Sequence, residues 1–182
     1  MNGGVFLDRD GVINRAILRE GLPYPPPSME EFEFLPGVAE AINALKVAGF
    51  RIIVVTNQPD VATGLQRREV VEEIHERILR EVPIDDIRVC YHTDKDECEC
   101  RKPKPGMLLR AARDWSLDMD QCFMVGDRWR DIEAGRAAGC RTILIDCEYA
   151  EKKAEDPDVV VNSLLEASAF ILANRKECPS GR

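Results

Sequence analysis

Short apolar runs rich in β-branched residues alternate along this chain with stretches whose apolar residues recur at helical spacing. The runs predict buried strands, and the stretches between them predict amphipathic helices. Strands are predicted over residues 5–7, 51–55, 87–91, 122–125, 142–145 and 159–161, and helices over 37–47, 67–81, 106–115, 131–138 and 163–173. Because such alternation is typical of parallel sheets with helices on both faces, we predict an α/β fold.

The length and composition fit one domain with an ordinary core. The chain has 182 residues, and we predict a single domain over 1–176 and a flexible tail over 177–182. No apolar run is long enough to span a membrane and no signal-type segment opens the chain, so we expect a cytoplasmic protein without a membrane partner. The net charge of −8 argues against a nucleic-acid partner. We also expect a monomer.

Polar residues follow four of the predicted strands at or beyond their carboxyl ends. These residues are Asp8 and Asp10, then Thr56, Asn57 and Gln58, then Lys102, then Asp127 and Asp131. In open parallel sheets this edge binds ligands. Each group alone could be a turn, a helix-terminal acid or a surface charge. Their recurrence at consecutive strand ends predicts one site.

The residue types at this edge suit phosphoryl transfer. Asp8 and Asp10 repel each other unless a cation lies between them, and Mg²⁺ favours oxygen ligands. An aspartate can attack phosphorus to give an aspartyl-phosphate. A hydroxyl, an amide and a lysine could stabilise the phosphoryl oxygens. The pattern therefore predicts metal-assisted phosphoryl chemistry.

A second cluster combines three cysteines with one histidine, namely Cys90, His92, Cys98 and Cys100. Three thiolates and an imidazole form a closed tetrahedral set for structural Zn²⁺. Free cysteines beside a surface histidine are the alternative. We predict a small zinc loop over about residues 90–100 that leads into Lys102 and braces it.

Four segments together resemble the haloacid dehalogenase (HAD) superfamily of phosphatases, and the match runs from about residue 5 to 139. They are L-D-R-D-G-V-I-N, V-V-T-N-Q, C-R-K-P-K-P-G-M and V-G-D-R-W-R-D-I-E-A-G. More narrowly, the chain is similar to the HAD subclass IIIA group of heptose bisphosphate and histidinol-phosphate phosphatases, which also carries the C-x-H…C-x-C signature. The resemblance implies a Rossmann-like HAD fold. The short gaps between the motifs leave no room for a large cap domain.

The resemblance implies a role for each site residue. Asp8 would be the nucleophile, and Asp10 the general acid and then the base for the hydrolytic water. Magnesium would be held by Asp8, the main-chain carbonyl of Asp10 and Asp127, with Asp131 nearby. Thr56 and Asn57 would hold the phosphoryl group, which Lys102 would neutralise. The candidate substrate contacts are Arg101, Asn57, Gln58 and Arg128.

The implied substrate is a small phosphorylated sugar. The resemblance favours the C7 phosphate of D-glycero-D-manno-heptose 1,7-bisphosphate, on the way to a nucleotide-activated heptose. Histidinol phosphate or another small phosphomonoester is the alternative substrate. A phospho-aspartate receiver and a zinc-dependent interaction module are the alternatives from other classes. Access would be controlled by three loops: an extended or polyproline segment at 21–27, the turn at 59–64 and the zinc loop.

Overall fold

The computed structural model describes residues 2–175 and is built on a six-stranded parallel sheet. The strands of the molecule are β1 Gly4–Leu7, β2 Ile17–Arg19, β3 Leu22–Tyr24, β4 Arg51–Asn57, β5 Asp86–Cys90, β6 Phe123–Gly126, β7 Arg141–Ile145 and β8 Val159–Val161. The helices are α1 Val38–Val47, α2 Arg68–Glu81, α3 Gly106–Asp114, α4 Trp129–Ala138 and α5 Leu164–Ala173. The sheet order is β5-β4-β1-β6-β7-β8, and every neighbouring pair is parallel. The predicted α/β class is therefore confirmed.

Helices cover both faces of the sheet, as the alternation predicts. On one face Leu7 and Val125 pack with the apolar sides of α1, α2 and α5. On the other face Phe6 and Met124 pack with α3 and α4. Successive residues of β1 thus enter opposite cores, because side chains alternate across a strand. This double burial explains why the central strands are apolar without interruption.

The segment at 21–27 is extended over residues 22–24, as predicted, but its pairing in a hairpin was not predicted. Its first part is the second strand of an antiparallel hairpin, in which β2 pairs with β3. The two residues of the turn, Glu20 and Gly21, have φ values of 51° and 77°. Two consecutive positive φ angles are typical of the type I′ turn that closes two-residue hairpins. The prolines hide this turn, because they favour an extended interpretation of the whole segment.

The topology brings three strand ends together at one edge. β1 lies between β4 and β6, so the residues that follow these three strands are neighbours in space. No helix within residues 2–175 is long and apolar enough to cross a membrane. The predicted flexible tail at 177–182 lies outside the described residues.

Candidate active site

Three buried carboxylates meet beyond the ends of β1 and β6. Asp8 follows β1, Asp127 follows β6, and Asp131 lies in the first turn of α4. One oxygen from each lies within 4.8 Å of the others. The backbone N–H of Asp8 donates to Val125 O at 3.0 Å, and the N–H of Arg128 donates to Asp131 Oδ2 at 3.1 Å. The sheet and the helix start therefore fix all three acids.

Lys102 is the cation of this group, and it is 2% exposed. Its Nζ lies 2.9 Å from Asp8 Oδ1 and 2.5 Å from Asp131 Oδ1. It also donates to the carbonyl of Val55 at 2.7 Å. The two carboxylates raise the pKa of Lys102 against the opposing effect of its burial, so the ammonium stays charged.

Asn57 fixes the backbone of this lysine. Its Nδ2 donates to Lys102 O at 3.0 Å, and its Oδ1 accepts from Lys102 N at 3.1 Å. The side chain predicted to hold a phosphoryl group is thus occupied with the backbone of the lysine loop. Thr56 lies on the cleft wall, where its hydroxyl accepts from Gln58 Nε2 at 2.9 Å.

The carboxylate cluster carries more negative charge than Lys102 can balance. Both oxygens of Asp127 are buried and make no well-formed hydrogen bond among the described residues. Burial raises the pKa of Asp127 well above its usual range, and the nearby Asp8 raises it further, although the nearby Tyr149 hydroxyl acts to lower it. Burial likewise raises the pKa of Asp8 to about 6, although Lys102 opposes the rise. Buried carboxylate oxygens that lack a well-formed hydrogen bond and lie beside two other acids fit a hard divalent cation.

Gly11 leaves the space that this cluster needs. Its φ is 87°, and a Cβ there would lie 1.8 Å from Asp127 Oδ2. Only a residue without a side chain allows the turn after β1 to pass this close to Asp127.

Asp10 lies at the cleft, where three side chains donate to its carboxylate. Gln58 Nε2 donates at 2.8 Å, Asn14 Nδ2 at 2.9 Å and Arg9 Nη2 at 2.9 Å. Gln58, predicted to contact substrate, is 1% exposed and instead connects Asp10 to Thr56. The orientation of Asp10 is therefore set from three directions.

The cleft over these residues has a volume of about 210 Å³. Its lining includes Asp8, Asp10, Lys102, Leu22, Pro23, Tyr24, Pro25, Pro59, Asp60, Arg128 and Arg130. Arg128 reaches the cleft while its guanidinium pairs with Glu151. Arg101 is directed to the loop at 90–100, where it donates to Asp94 Oδ1 at 2.8 Å and to the carbonyl of His92 at 3.2 Å.

Two residues that line the cleft, Tyr24 and Arg130, were given no role of their own from the sequence. Tyr24 belongs to the segment at 21–27 that was expected to control access, and Arg130 lies two positions after Arg128. Tyr24 reaches the cleft through the hairpin, which the prolines concealed. Arg130 lines the cleft beside Arg128 and contacts Asp94 Oδ1 at 3.3 Å. Its place in the first turn of α4 after a strand end was the available signal.

The Cys/His cluster is assembled at the end of β5. One ligand atom from each of Cys90, His92, Cys98 and Cys100 lies within 4.8 Å of the others. Cys100 Sγ is 3.3 Å from Cys90 Sγ and 3.4 Å from Cys98 Sγ. His92 Nδ1 is 3.3 Å from Cys100 Sγ. Four soft and borderline donors around one point fit a tetrahedral metal ion.

A parallel α/β sheet with D-x-D after its first strand and further acids after a later one defines the class of HAD-like hydrolases. A family model described as HAD-hydrolase-like matches residues 99–167. The structure is similar to D,D-heptose 1,7-bisphosphate phosphatase from B. bronchiseptica, solved with magnesium and phosphate. The TM-score is 0.78 at 30% identity, over 95% of this chain and 99% of that one. A HAD-like phosphatase from Mesorhizobium loti superposes with a TM-score of 0.75 at 28% identity, over 96% of this chain and 88% of that one.

Relatives that align over most of both chains identify the family within this class of hydrolases. The D-glycero-beta-D-manno-heptose-1,7-bisphosphate 7-phosphatase of Rhodopseudomonas palustris is 37% identical over 88% of both chains. The enzyme of that name from Photorhabdus laumondii is 35% identical over 94% of this chain and 96% of its own. The chain therefore belongs to the D-glycero-beta-D-manno-heptose-1,7-bisphosphate 7-phosphatase family of HAD-like hydrolases.

Proposed function

We propose that this chain is a Mg²⁺-dependent phosphatase that removes the C7 phosphate of D-glycero-D-manno-heptose 1,7-bisphosphate through an aspartyl-phosphate on Asp8. The observation that carries the proposal is the cluster of Asp8, Asp127 and Asp131 around Lys102 beneath a polar cleft. Membership of the heptose bisphosphate phosphatase family supports the assignment of the substrate. We further propose a cytoplasmic monomer, which suits a water-soluble sugar phosphate.

Asp8 attacks phosphorus in the first step. Its carboxylate lines the cleft, and the Lys102 ammonium keeps it ionised and fixes its orientation. The Asp8–phosphorus bond forms as the bond from phosphorus to the sugar oxygen breaks. Lys102 and Thr56 lie at the cleft wall, where they can stabilise charge on the phosphoryl oxygens.

Asp10 moves the protons of both steps. Protonated Asp10 gives its proton to the departing sugar oxygen, and its carboxylate then takes a proton from the water that attacks the aspartyl-phosphate. The side chains that donate hydrogen bonds to Asp10 hold its carboxylate at the cleft. There it can reach the departing sugar oxygen and the oxygen of the attacking water. Phosphate and free Asp8 are the products of the second step.

The acids supply the metal site of this reaction. Asp8, Asp127 and the main-chain carbonyl of Asp10 would hold Mg²⁺, with Asp131 nearby. A bound Mg²⁺ supplies positive charge that orients the phosphoryl group and lowers the repulsion between it and Asp8. The B. bronchiseptica phosphatase, solved with magnesium and phosphate, supports this assignment.

The other end of the substrate lies among basic side chains. Arg128 and Arg130 line the cleft, and Arg101 follows the zinc loop at its side. We assign Arg101 and Arg128 to substrate binding, because guanidinium groups recognise phosphate and sugar oxygens. Zn²⁺ on Cys90, His92, Cys98 and Cys100 would be structural and would hold the loop that ends in Lys102.

A substrate panel tests the proposal. Phosphate release is measured with Mg²⁺ on both anomers of the heptose bisphosphate, on histidinol phosphate and on other small phosphomonoesters. We expect one heptose anomer to exceed histidinol phosphate by about a hundredfold in kcat/KM. Uniformly weak release, or a preference for histidinol phosphate, would contradict the heptose assignment. The Asp8→Asn variant is the control for contaminating phosphatase.

A further inference from the structure

Arg9, the residue between the two catalytic aspartates, is fully buried at 0% exposure. A buried guanidinium needs partners for its donors, because an unpaired charge in the interior is costly. One edge of Arg9 faces Asp10: Nη2 donates to Asp10 Oδ2 at 2.9 Å, and Nε lies 3.3 Å from Asp10 Oδ1. The guanidinium thus holds the carboxylate side-on.

The other edge of Arg9 is held by a residue from α2. His75 is 8% exposed, and its Nε2 lies 3.0 Å from Arg9 Nη1. Since Arg9 can only donate, His75 Nε2 must be the acceptor, so the ring is neutral with its proton on Nδ1. Burial and the charge of Arg9 lower the pKa of His75 to about 3, which agrees with this state.

The contacts form one chain from α2 to the cleft. His75 fixes Arg9, Arg9 fixes Asp10, and Asp10 lines the cleft. The guanidinium is planar, so a contact on each edge sets both its position and the plane in which it meets the carboxylate. Without an acceptor at residue 75, Nη1 would be buried without a partner and Arg9 would move to find one.

We propose that His75 is a positioning residue for proton transfer, acting through Arg9 to hold Asp10 in the geometry that protonates the leaving oxygen. The inference rests on the proposed general-acid role of Asp10. No atom of His75 touches the cleft, and His75 itself transfers no proton. Its contribution is the direction in which Asp10 presents its carboxyl group.

The leaving group provides the test. The sugar oxygen of heptose bisphosphate is a poor leaving group that needs a proton, whereas p-nitrophenolate departs readily without one. For each variant, kcat/KM is measured on both substrates and their ratio is taken. The fraction of correctly folded enzyme cancels in this ratio. We expect His75→Leu to lower kcat/KM on the heptose substrate about tenfold more than on p-nitrophenyl phosphate.

Two variants separate the hydrogen bond from packing. His75→Gln places an acceptor oxygen where Nε2 lies, and we expect it to restore the substrate ratio to within about twofold of the parent. Ile78→Val, one turn further along α2 and buried in the core, is the stability control and should leave the ratio unchanged. An unchanged ratio in His75→Leu would overturn the inference, whether kcat/KM falls equally on both substrates or on neither.

Asp10→Asn distinguishes this inference from the function on which it rests. We expect Asp10→Asn to lower kcat/KM more on the heptose substrate than on p-nitrophenyl phosphate. If Asp10→Asn lowers kcat/KM equally on both substrates, the general-acid assignment fails and the positioning role fails with it. If Asp10→Asn shows the pattern and His75→Leu does not, only the role of His75 is wrong.

Discussion

The ammonium nitrogen of Lys102 lies 2.9 Å from Oδ1 of Asp8. The contact joins the strand-end acid to a lysine that comes from a loop far along the chain. It lies in the interior, where screening by water is weak and the orientation of the pair is fixed. Lys102 therefore keeps Asp8 ionised and holds its orientation. The loop at 90–100, which carries the Cys/His cluster, leads directly into Lys102.

Removal of the Lys102 ammonium should lower kcat. We expect Lys102→Met to lower kcat on the heptose substrate by at least about a hundredfold, because a preorganised charge at the phosphoryl site is lost. Lys104→Met is the matched control: Lys104 is exposed and pairs with Glu99. Steady-state kinetics of both variants check this. Equal, small effects would show that the buried position of Lys102 has no catalytic consequence.

Magnesium should stabilise the fold through Asp127. Occupation of the carboxylate cluster removes repulsion between buried acids, so we expect Mg²⁺ at about a hundred times its Kd to raise Tm by about 5–10 °C. Asp127→Asn should abolish this rise and melt higher than the parent without added Mg²⁺, because the buried carboxylate of the parent makes no well-formed hydrogen bond. Glu76→Gln, an exposed acid on α2, is the control. A full Mg²⁺ response in Asp127→Asn would contradict the assigned metal site.

Zinc should be lost with the thiolates of the loop. We expect Cys98→Ser combined with Cys100→Ser to abolish stoichiometric zinc by elemental analysis and to lower Tm by at least about 5 °C, since metal binding contributes directly to folding. The control is Cys147→Ser, because that half-buried cysteine lies outside the cluster. Unchanged zinc content in the double variant would show that Cys98 and Cys100 are not zinc ligands.

The strand ends were predictable from the sequence, whereas the contacts between their side chains were not. Asp8, Thr56 and Asp127 each follow an apolar run, and parallel topology alone brings such residues to one edge. That Asn57 and Gln58 would hold Lys102 and Asp10 depends on side-chain directions that no spacing encodes. The hairpin was missed because its turn geometry depends on Glu20, a residue that rarely adopts positive φ.

His75 shows the limit of sequence reasoning most clearly. On α2 it occupies the apolar stripe with Ile74 and Ile78, so a core histidine is all that the spacing suggests. Its contact with Arg9 spans 66 positions of the chain and depends on how α2 packs on the sheet.

The neutral state of His75 predicts a pH dependence of stability. Its pKa is about 3 in the folded protein and about 6.5 in the unfolded chain. Below pH 6.5 the unfolded chain binds a proton that the folded protein does not, so stability falls as the pH drops from about 6.5 towards 3. Between pH 7 and pH 5, we expect the free energy of unfolding to fall by about 1–2 kcal/mol less in His75→Gln than in the parent. Urea unfolding at both pH values measures this, and equal losses would show that His75 titrates normally.

Every role assigned to the site depends on an aspartyl-phosphate forming on Asp8, and chemical trapping can detect that intermediate. The enzyme is mixed with heptose bisphosphate and Mg²⁺, quenched during turnover, treated with borohydride and digested for peptide mass spectrometry. Borohydride reduces an aspartyl-phosphate to homoserine, so we predict homoserine at residue 8 only when substrate is present. With p-nitrophenyl phosphate, whose leaving group needs no proton, the Asp10→Asn variant should accumulate more of it, because hydrolysis of the intermediate then lacks its base. Substrate-dependent homoserine at another aspartate, or active enzyme whose Asp8 is never modified, would show that Asp8 is not the nucleophile.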